Sequence, residues 1–442
     1  MVRVAMIWVF YNIVFTVGYL LMMPHFLMRM WRRGGYRKGF LQRLAFYPSS
    51  LRSRLRDRRR IWMHAVSVGE MFVALRVIHE MRFRRTDLAF VVTTTTSTGH
   101  AVAAQRLAAE DVLLYFPADF PWIVSRVLKM IDPIALILTE CEIWPNLLRH
   151  AHARKVPVML YNGRISDSSY RGYRYARWIL RRVLEPMALC LMQTETDRKR
   201  IQALGAAQSR VHAIGTVKYD MSSADDVQSD TTRELLDRLS FNDGCPILLG
   251  GSTWPGEEKI LLELFTRLKR EHETLKLILV PRHAERATEV EKEVLACHLP
   301  YVRRSRVDVQ GSSLESKPDV LLVDTTGELI GFYACATVVF VGKSLTDHGG
   351  QNFIEPASLN KAVIVGPYLE NFPLVAEEFR SADAFVQVHD ADGLEEALRE
   401  LFGDEGKRLG YAERAERLVR SKRGTVKEIV DAMESVLLQV GK

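Results

Sequence analysis

The sequence predicts an α/β fold: two doubly wound parallel-sheet domains in tandem, facing a cleft, behind an apolar N-terminal helix. Three observations carry this. Short β-branched runs alternate with longer amphipathic ones along most of the 442 residues, the pattern of a parallel sheet covered by helices on both faces. Runs such as Ala-Leu-Ile-Leu (135–138) and Pro-Val-Met-Leu (157–160) are apolar throughout, as strands buried on both faces must be. One polar stretch, 220–232, interrupts the alternation, which then resumes.

Taken in order, the chain starts with Val4 to Met23, uncharged and about as long as the ~20 residues that cross a bilayer. Residues 27–60 then hold twelve Lys and Arg against the single Asp57, Arg29, Arg32, Arg33, Arg37 and Lys38 coming first. The whole chain carries only +8, so the remainder is slightly acidic and one segment alone is basic. By the positive-inside rule the side C-terminal to this span is expected to be cytoplasmic. A cleaved signal peptide wants a charged start, a shorter apolar core and small residues at the exit; this exit is Met, His, Phe and Arg. A helix lying in the interface is the other alternative. Either way the arginine run is expected to bind anionic lipid. With no basic surface elsewhere, nucleic acid is not an expected partner.

The expected domains are 1–26 (anchor helix), 27–222 and 223–442. Strands are expected at 61–66, 89–95, 112–116, 134–139, 156–161 and 188–193, then at 246–250, 275–280, 319–323, 337–341, 362–365 and 384–387. Helical patterns at 70–83, 98–110, 121–130 and 143–154 separate the first set. A long amphipathic helix, or a pair, from about 405 to 440 closes the second domain. The five cysteines lie far apart with no C-x-x-C pair, which fits buried thiols in a reducing compartment. His150 and His152 have no acidic or Cys partner at ligand spacing, so no metal site is expected.

Candidate chemistry gathers where strands end, the rim at which open α/β sheets bind ligands. Ser67-Val68-Gly69-Glu70 places a carboxylate in a helix first turn. It is also a capping box, with Ser67 as cap and Glu70 reaching back. The run Thr93 to Gly99 offers hydroxyls to an anion or to a helix cap. Glu140-Cys141-Glu142-Ile143-Trp144 ends another strand, Asn162-Gly163-Arg164 a third, and Gly215-Thr216-Val217-Lys218-Tyr219-Asp220 closes the domain. In the second half, Gly250 to Glu257 brings backbone N–H groups toward a phosphate at a helix start. Pro281-Arg282-His283 supplies a cation, Asp324 to Leu329 opens a helix, and His348 to Pro356 is glycine-rich, then helical, with Glu355 suited to ribose hydroxyls. No G-x-G-x-x-G follows a strand, which speaks against dinucleotides. Val341-Gly342-Lys343-Ser344 imitates a P-loop but has Thr337 where that motif needs Gly.

These motifs in this order resemble the 3-deoxy-D-manno-octulosonic acid (Kdo) transferases of lipopolysaccharide synthesis, over nearly the whole chain. The motifs are H-A-V-S-V-G-E (64–70), T-E-C-E-I-W-P-N (139–146), N-G-R-I-S (162–166), G-S-T-W-P-G-E-E (251–258), P-R-H (281–283), G-E-L (327–329) and H-G-G-Q-N-F-I-E-P (348–356). The resemblance implies a GT-B fold of two Rossmann-like domains. It implies inverting, metal-independent transfer of Kdo from CMP-Kdo to a lipid A precursor (lipid IVA), with no cofactor besides this donor. Glu70 would be the general base, with Glu140 and Lys218 supporting the transition state. CMP would contact Pro281, Arg282, Thr326, Gly327, Glu328, Asn352, Phe353, Ile354 and Glu355. Cys141, Thr216, Lys343 and Gln351-Asn352-Phe353 depart from the family's usual residues. Two other readings fit the same residues: a GT-B enzyme of UDP-sugars (transferase or epimerase), and a non-catalytic nucleotide or lipid binder.

Overall fold

The computed structural model describes residues 2–33, 39–221, 229–241, 244–307 and 317–440. Arg37, Lys38 and most of the polar stretch 220–232 lie outside them.

Two compact units appear, 1–221 with 424–442, and 222–423. The first holds β1 (Ile61–His64), β2 (Phe90–Thr94), β3 (Val112–Tyr115), β4 (Leu136–Thr139), β5 (Val158–Gly163), β6 (Leu189–Met192) and β7 (Val211–Ala213). They pair all-parallel in the order β3-β2-β1-β4-β5-β6-β7. Consecutive strands run outward from β1 one way, and the chain then crosses to β4 on its other side. Loops after β1 and β4 therefore diverge and leave a crevice at their carboxyl ends.

The second unit repeats this plan with β8 (Ile247–Thr253), β9 (Lys276–Pro281), β10 (Tyr301–Arg303), β11 (Val320–Leu322), β12 (Val338–Val341), β13 (Ala362–Val365) and β14 (Val386–Gln387). Its order is β10-β11-β9-β8-β12-β13-β14. The switch point lies between β8 and β12. Gly251 sits inside β8 because a Cβ there would come 2.4 Å from the Tyr333 hydroxyl. The glycines 250 and 251 are thus strand and packing residues of β8. Strands β7 and β10 have no counterpart among the expected strands. Each is a three-residue edge strand, too short for periodicity to register.

The C-terminal boundary needs correction. The expected closing element is two helices, Glu405–Lys422 and Thr425–Val440, broken at Gly424, whose φ is +104°. The second packs on the first unit, not the second. Val426, Ile429, Val430 and Met433 join Met71, Val77 and Ile137 in one buried cluster. Asp220 fixes the return by accepting the Gly424 and Val426 N–H groups at 2.7 and 2.6 Å.

The helix Val2–Arg33 contains Met6–His25, long and apolar enough to cross a membrane. One side of it packs on the first unit. Trp8 is buried, and Arg149 lies over its ring. The Tyr11 hydroxyl donates to Asp119 at 2.8 Å, and Asn146 donates to Asn12 at 2.7 Å. The opposite side exposes Val9, Ile13, Val17, Leu20 and Leu21.

Candidate active site

In the first unit Ser67 caps the helix after β1, and Glu70 reaches back to the N–H one residue before the cap instead of the cap's own N–H that a capping box uses. Ser67 Oγ accepts the Glu70 N–H at 3.3 Å and donates to Glu70 Oε1 at 2.9 Å. Glu70 Oε2 accepts the Val66 N–H at 2.9 Å. The hydroxyls of Thr94 and Thr96 both donate to Val66 O, at 3.0 and 3.1 Å, and Thr96 caps the helix Ser97–Arg106. The threonine run thus shapes the β1 loop and caps a helix.

Across the switch point, Glu140 follows β4 with φ +58°, a left-handed backbone that costs a non-glycine residue of order 1–3 kcal/mol. Asn162, φ +52°, does the same near the end of β5. Its side-chain oxygen accepts the Val217 N–H at 3.3 Å and so ties β5 to the Lys218 loop. Glu70, Glu140, Lys218 and Arg164 come together here. Burial, then the charge of Glu70, pushes the Glu140 carboxyl up to about 7, against the pull of Lys218 and Arg164. Burial pulls Lys218 down to about 8, with Glu140 holding it up and Arg164 pressing it further down.

Beside them lies a group that the sequence motifs contain without announcing. His64 is fully buried, stacked on Phe116 at 3.7 Å between ring centroids, with Nδ1 3.0 Å from Thr93 O. Its Nε2 lies 3.9 Å from Glu142 Oε2, and that same oxygen accepts Trp144 Nε1–H at 2.9 Å. Trp144 is therefore a positioning partner of a carboxylate, which explains the E-x-W spacing.

A pH test follows from Glu140. Its folded carboxyl titrates near 7 against an ordinary 4.5, so between those values the folded state binds more protons than the unfolded one. Stability then falls as pH rises through that window. Glu140→Gln lacks this dependence. Thermal melts should show the variant gaining on the wild type from pH 4.5 to pH 7, and a constant difference would refute the buried-carboxyl assignment.

In the second unit the helix Glu257–Leu268 starts beside the switch point. Glu257 is fully buried, and its carboxylate accepts four backbone N–H groups. Trp254 and Lys343 donate to Oε2 at 2.8 Å each, and Ser344 and Leu345 to Oε1 at 3.0 Å each. The P-loop look-alike therefore has its N–H nest filled by the protein's own carboxylate. Lys343, φ +55°, turns its ammonium over the Trp254 ring at 4.5 Å.

Of the expected nucleotide contacts, Arg282, Asn352 and Glu355 do assemble. Asn352 Nδ2 donates to Glu355 Oε1 at 2.9 Å, and Arg282 lies near enough to pull on the Glu355 carboxyl, which burial raises. Pro281 ends β9. Thr326 and Gly327 lie on the turn after β11, and Glu328 there is held by Arg304 at 2.7 Å. Phe353 and Ile354 turn into the core, Phe353 among Phe372, Phe379 and Phe385, so only their main chain is left to meet a ligand. Among the described residues no cluster of three His, Cys, Asp or Glu groups has metal-holding geometry.

Two all-parallel doubly wound units with polar loops at both switch points define a GT-B-type protein. The UDP complex of S. aureus MnaA shares the fold, with a TM-score of 0.54 at 14% identity over 87% of this chain and 98% of that one. The family model described as 3-deoxy-D-manno-octulosonic-acid transferase (kdotransferase) matches residues 38–221. The 3-deoxy-D-manno-octulosonic acid transferase of Bordetella pertussis is 31% identical over 387 residues, 85% of this chain and 87% of that protein. A bifunctional glycosyltransferase/methyltransferase of Fusobacterium nucleatum is 32% identical over 79% of this chain, and there the chain spans about half (53%) of the relative. The chain belongs to the Kdo transferase family and is a glycosyltransferase of lipopolysaccharide biosynthesis.

Proposed function

We propose that this protein moves Kdo from CMP-Kdo to lipid IVA, with inversion, without a metal, and with Glu70 as general base. The observation that carries the reading is the meeting of Glu70, Glu140, Lys218 and Arg164 at the first switch point, in a chain of this family. A sugar hydroxyl is a poor nucleophile until a base takes its proton in the transition state. Glu70 sits in a helix first turn, where the N-terminal dipole favours the carboxylate. Ser67 and Val66 occupy one lone pair on each oxygen. A carboxylate has about four such sites, so capping and proton abstraction are compatible. Lys218 and Glu140 support the transition state, and Lys218 or Arg282 stabilises the departing CMP anion. Pro281, Arg282, Asn352 and Glu355 form the centre of the CMP subsite, the turn Thr326–Glu328 its flank, and Phe353 and Ile354 contribute main chain. The apolar outer side of the N-terminal helix meets the inner membrane from the cytoplasmic face, where the arginine run meets anionic lipid.

Detergent-solubilised protein with CMP-Kdo and lipid IVA should release CMP and yield a glycolipid heavier by Kdo in a mass spectrum. Calorimetry should show CMP binding and UDP binding more weakly. UDP preference with no Kdo product overturns the reading in favour of a UDP-sugar enzyme. CMP binding without turnover identifies a non-catalytic binder.

A further inference from the structure

Between the N-terminal helix and the segment joining β3 to the helix Pro121–Ile131 lies a cavity of about 350 Å³, within the ~300–1,000 Å³ usual for small-molecule sites. Phe15, Tyr19, Met22 and Met23 form the helix wall, and Phe116 and Trp144 the opposite one. The helix wall is held in place. Phe15 and Tyr19 both pack edge-on against Phe120, at 5.1 and 5.2 Å between centroids, and Tyr11 is tied to Asp119. Two of the charged groups that line the cavity are engaged within the protein, while the Thr95 hydroxyl is buried without a hydrogen-bond partner among the described residues. Arg43 donates to Thr95 O at 2.6 Å, and Asp119 also accepts the Asn146 and Leu147 N–H groups at 2.9 and 2.8 Å.

Two wall residues reach the candidate active site. Phe116 stacks on His64, and Trp144 donates to Glu142. The cavity therefore adjoins the loops of the first switch point. Its other wall belongs to the helix whose outer side is exposed and apolar.

We infer that this cavity receives one acyl chain of the lipid acceptor, an inference that rests on the proposed transfer to lipid IVA. A peptide would bring an N–H and a C=O at nearly every residue, each needing a partner, and this mostly apolar lining offers few. A polymethylene chain asks for none, and flexible methionines and aromatic faces adapt to it. A wall built from a bilayer-compatible helix lets the chain pass from membrane to cavity without crossing water. The chain thus anchors the acceptor while its sugar reaches the carboxylates, and cavity length selects among acyl patterns.

The test uses the full-length protein in detergent and lipid IVA carrying a diazirine at the end of one acyl chain. After irradiation, adducts mapped by mass spectrometry should fall on Phe15, Tyr19, Met22, Met23 and Phe116. Met23→Trp and Ala118→Leu, which fill the cavity from opposite walls, should each suppress those adducts. Each should raise KM for lipid IVA about tenfold or more, the scale on which a few methylene contacts discriminate, with kcat held. Circular dichroism and CMP binding check that each variant is folded. Adducts confined to Ile13, Val17, Leu20 and Leu21, or unchanged by both variants, overturn the inference. Turnover of unlabelled lipid IVA by the wild type is measured in parallel. Turnover with outward labelling sinks the cavity alone. No turnover sinks the transferase reading, and the labelling pattern still decides whether the cavity takes an acyl chain.

Discussion

Glu70→Gln should lower kcat by roughly 10²–10⁴-fold, the usual worth of general-base assistance, while KM and the melting temperature move little. The separation rests on what the side chain does now. Its two oxygens accept one hydrogen bond each, from Ser67 Oγ and the Val66 N–H. Glutamine keeps the chain length and one acceptor oxygen, so much of the cap survives, but an amide takes no proton from an acceptor hydroxyl. Ser67→Ala probes the other half. It removes the hydroxyl that accepts the Glu70 N–H and should cost about 1 kcal/mol of stability, as loss of a helix cap does, with turnover within a few-fold of wild type. CMP release and thermal melts on both variants give the answer. An active Glu70→Gln that melts early would leave Glu70 a cap and nothing more.

Much of this site could be read before any coordinates, for a definite reason. In a parallel sheet buried on both faces the strands are apolar runs, so a polar residue just after one announces the carboxyl edge. Glu70, Glu140, Arg164 and Arg282 all stand shortly after such runs, which by that rule singles them out as candidates. The edge strands β7 and β10 escaped it because three residues carry no period. The last helix was assigned to the wrong unit because adjacency in sequence says nothing about which core takes an apolar stripe. Asp220, two residues beyond Lys218, is what pins it back. Partnerships across long sequence separations were equally hidden. His64 and Glu142 lie in different motifs, Asp119 in none, and the family resemblance of Phe353 and Ile354 did not reveal that their side chains are core.

Glu257 is the case where that blindness matters most, and its replacement should have the largest structural effect in the second unit. In the sequence it is only the last residue of the Gly250–Glu257 run. In the fold it is a buried clamp whose N–H donors come from its own loop and from residues 343–345, across the switch point. Three of those donors follow Gly342, where a Cβ would come 2.5 Å from Ser252 O and Thr253 Cα, so the two loops pack backbone to backbone. Glutamine is not conservative here. Its amide oxygen can serve two of the four donors, and its NH₂ would point at the other two. Each buried N–H left unpaired costs about 1–3 kcal/mol, so Glu257→Gln should lose on the order of 2–6 kcal/mol, and Glu257→Ala, which leaves all four donors unpaired, about twice that. The loss should be local first. Hydrogen exchange at Trp254 and at Lys343–Leu345 should accelerate in both variants, and CMP binding should weaken with it, because Arg282 also hangs on this rim through its N–H to Thr253 O at 3.0 Å. A Glu257→Gln protein with wild-type exchange at those four amides would show that packing, rather than the carboxylate, holds the two loops together.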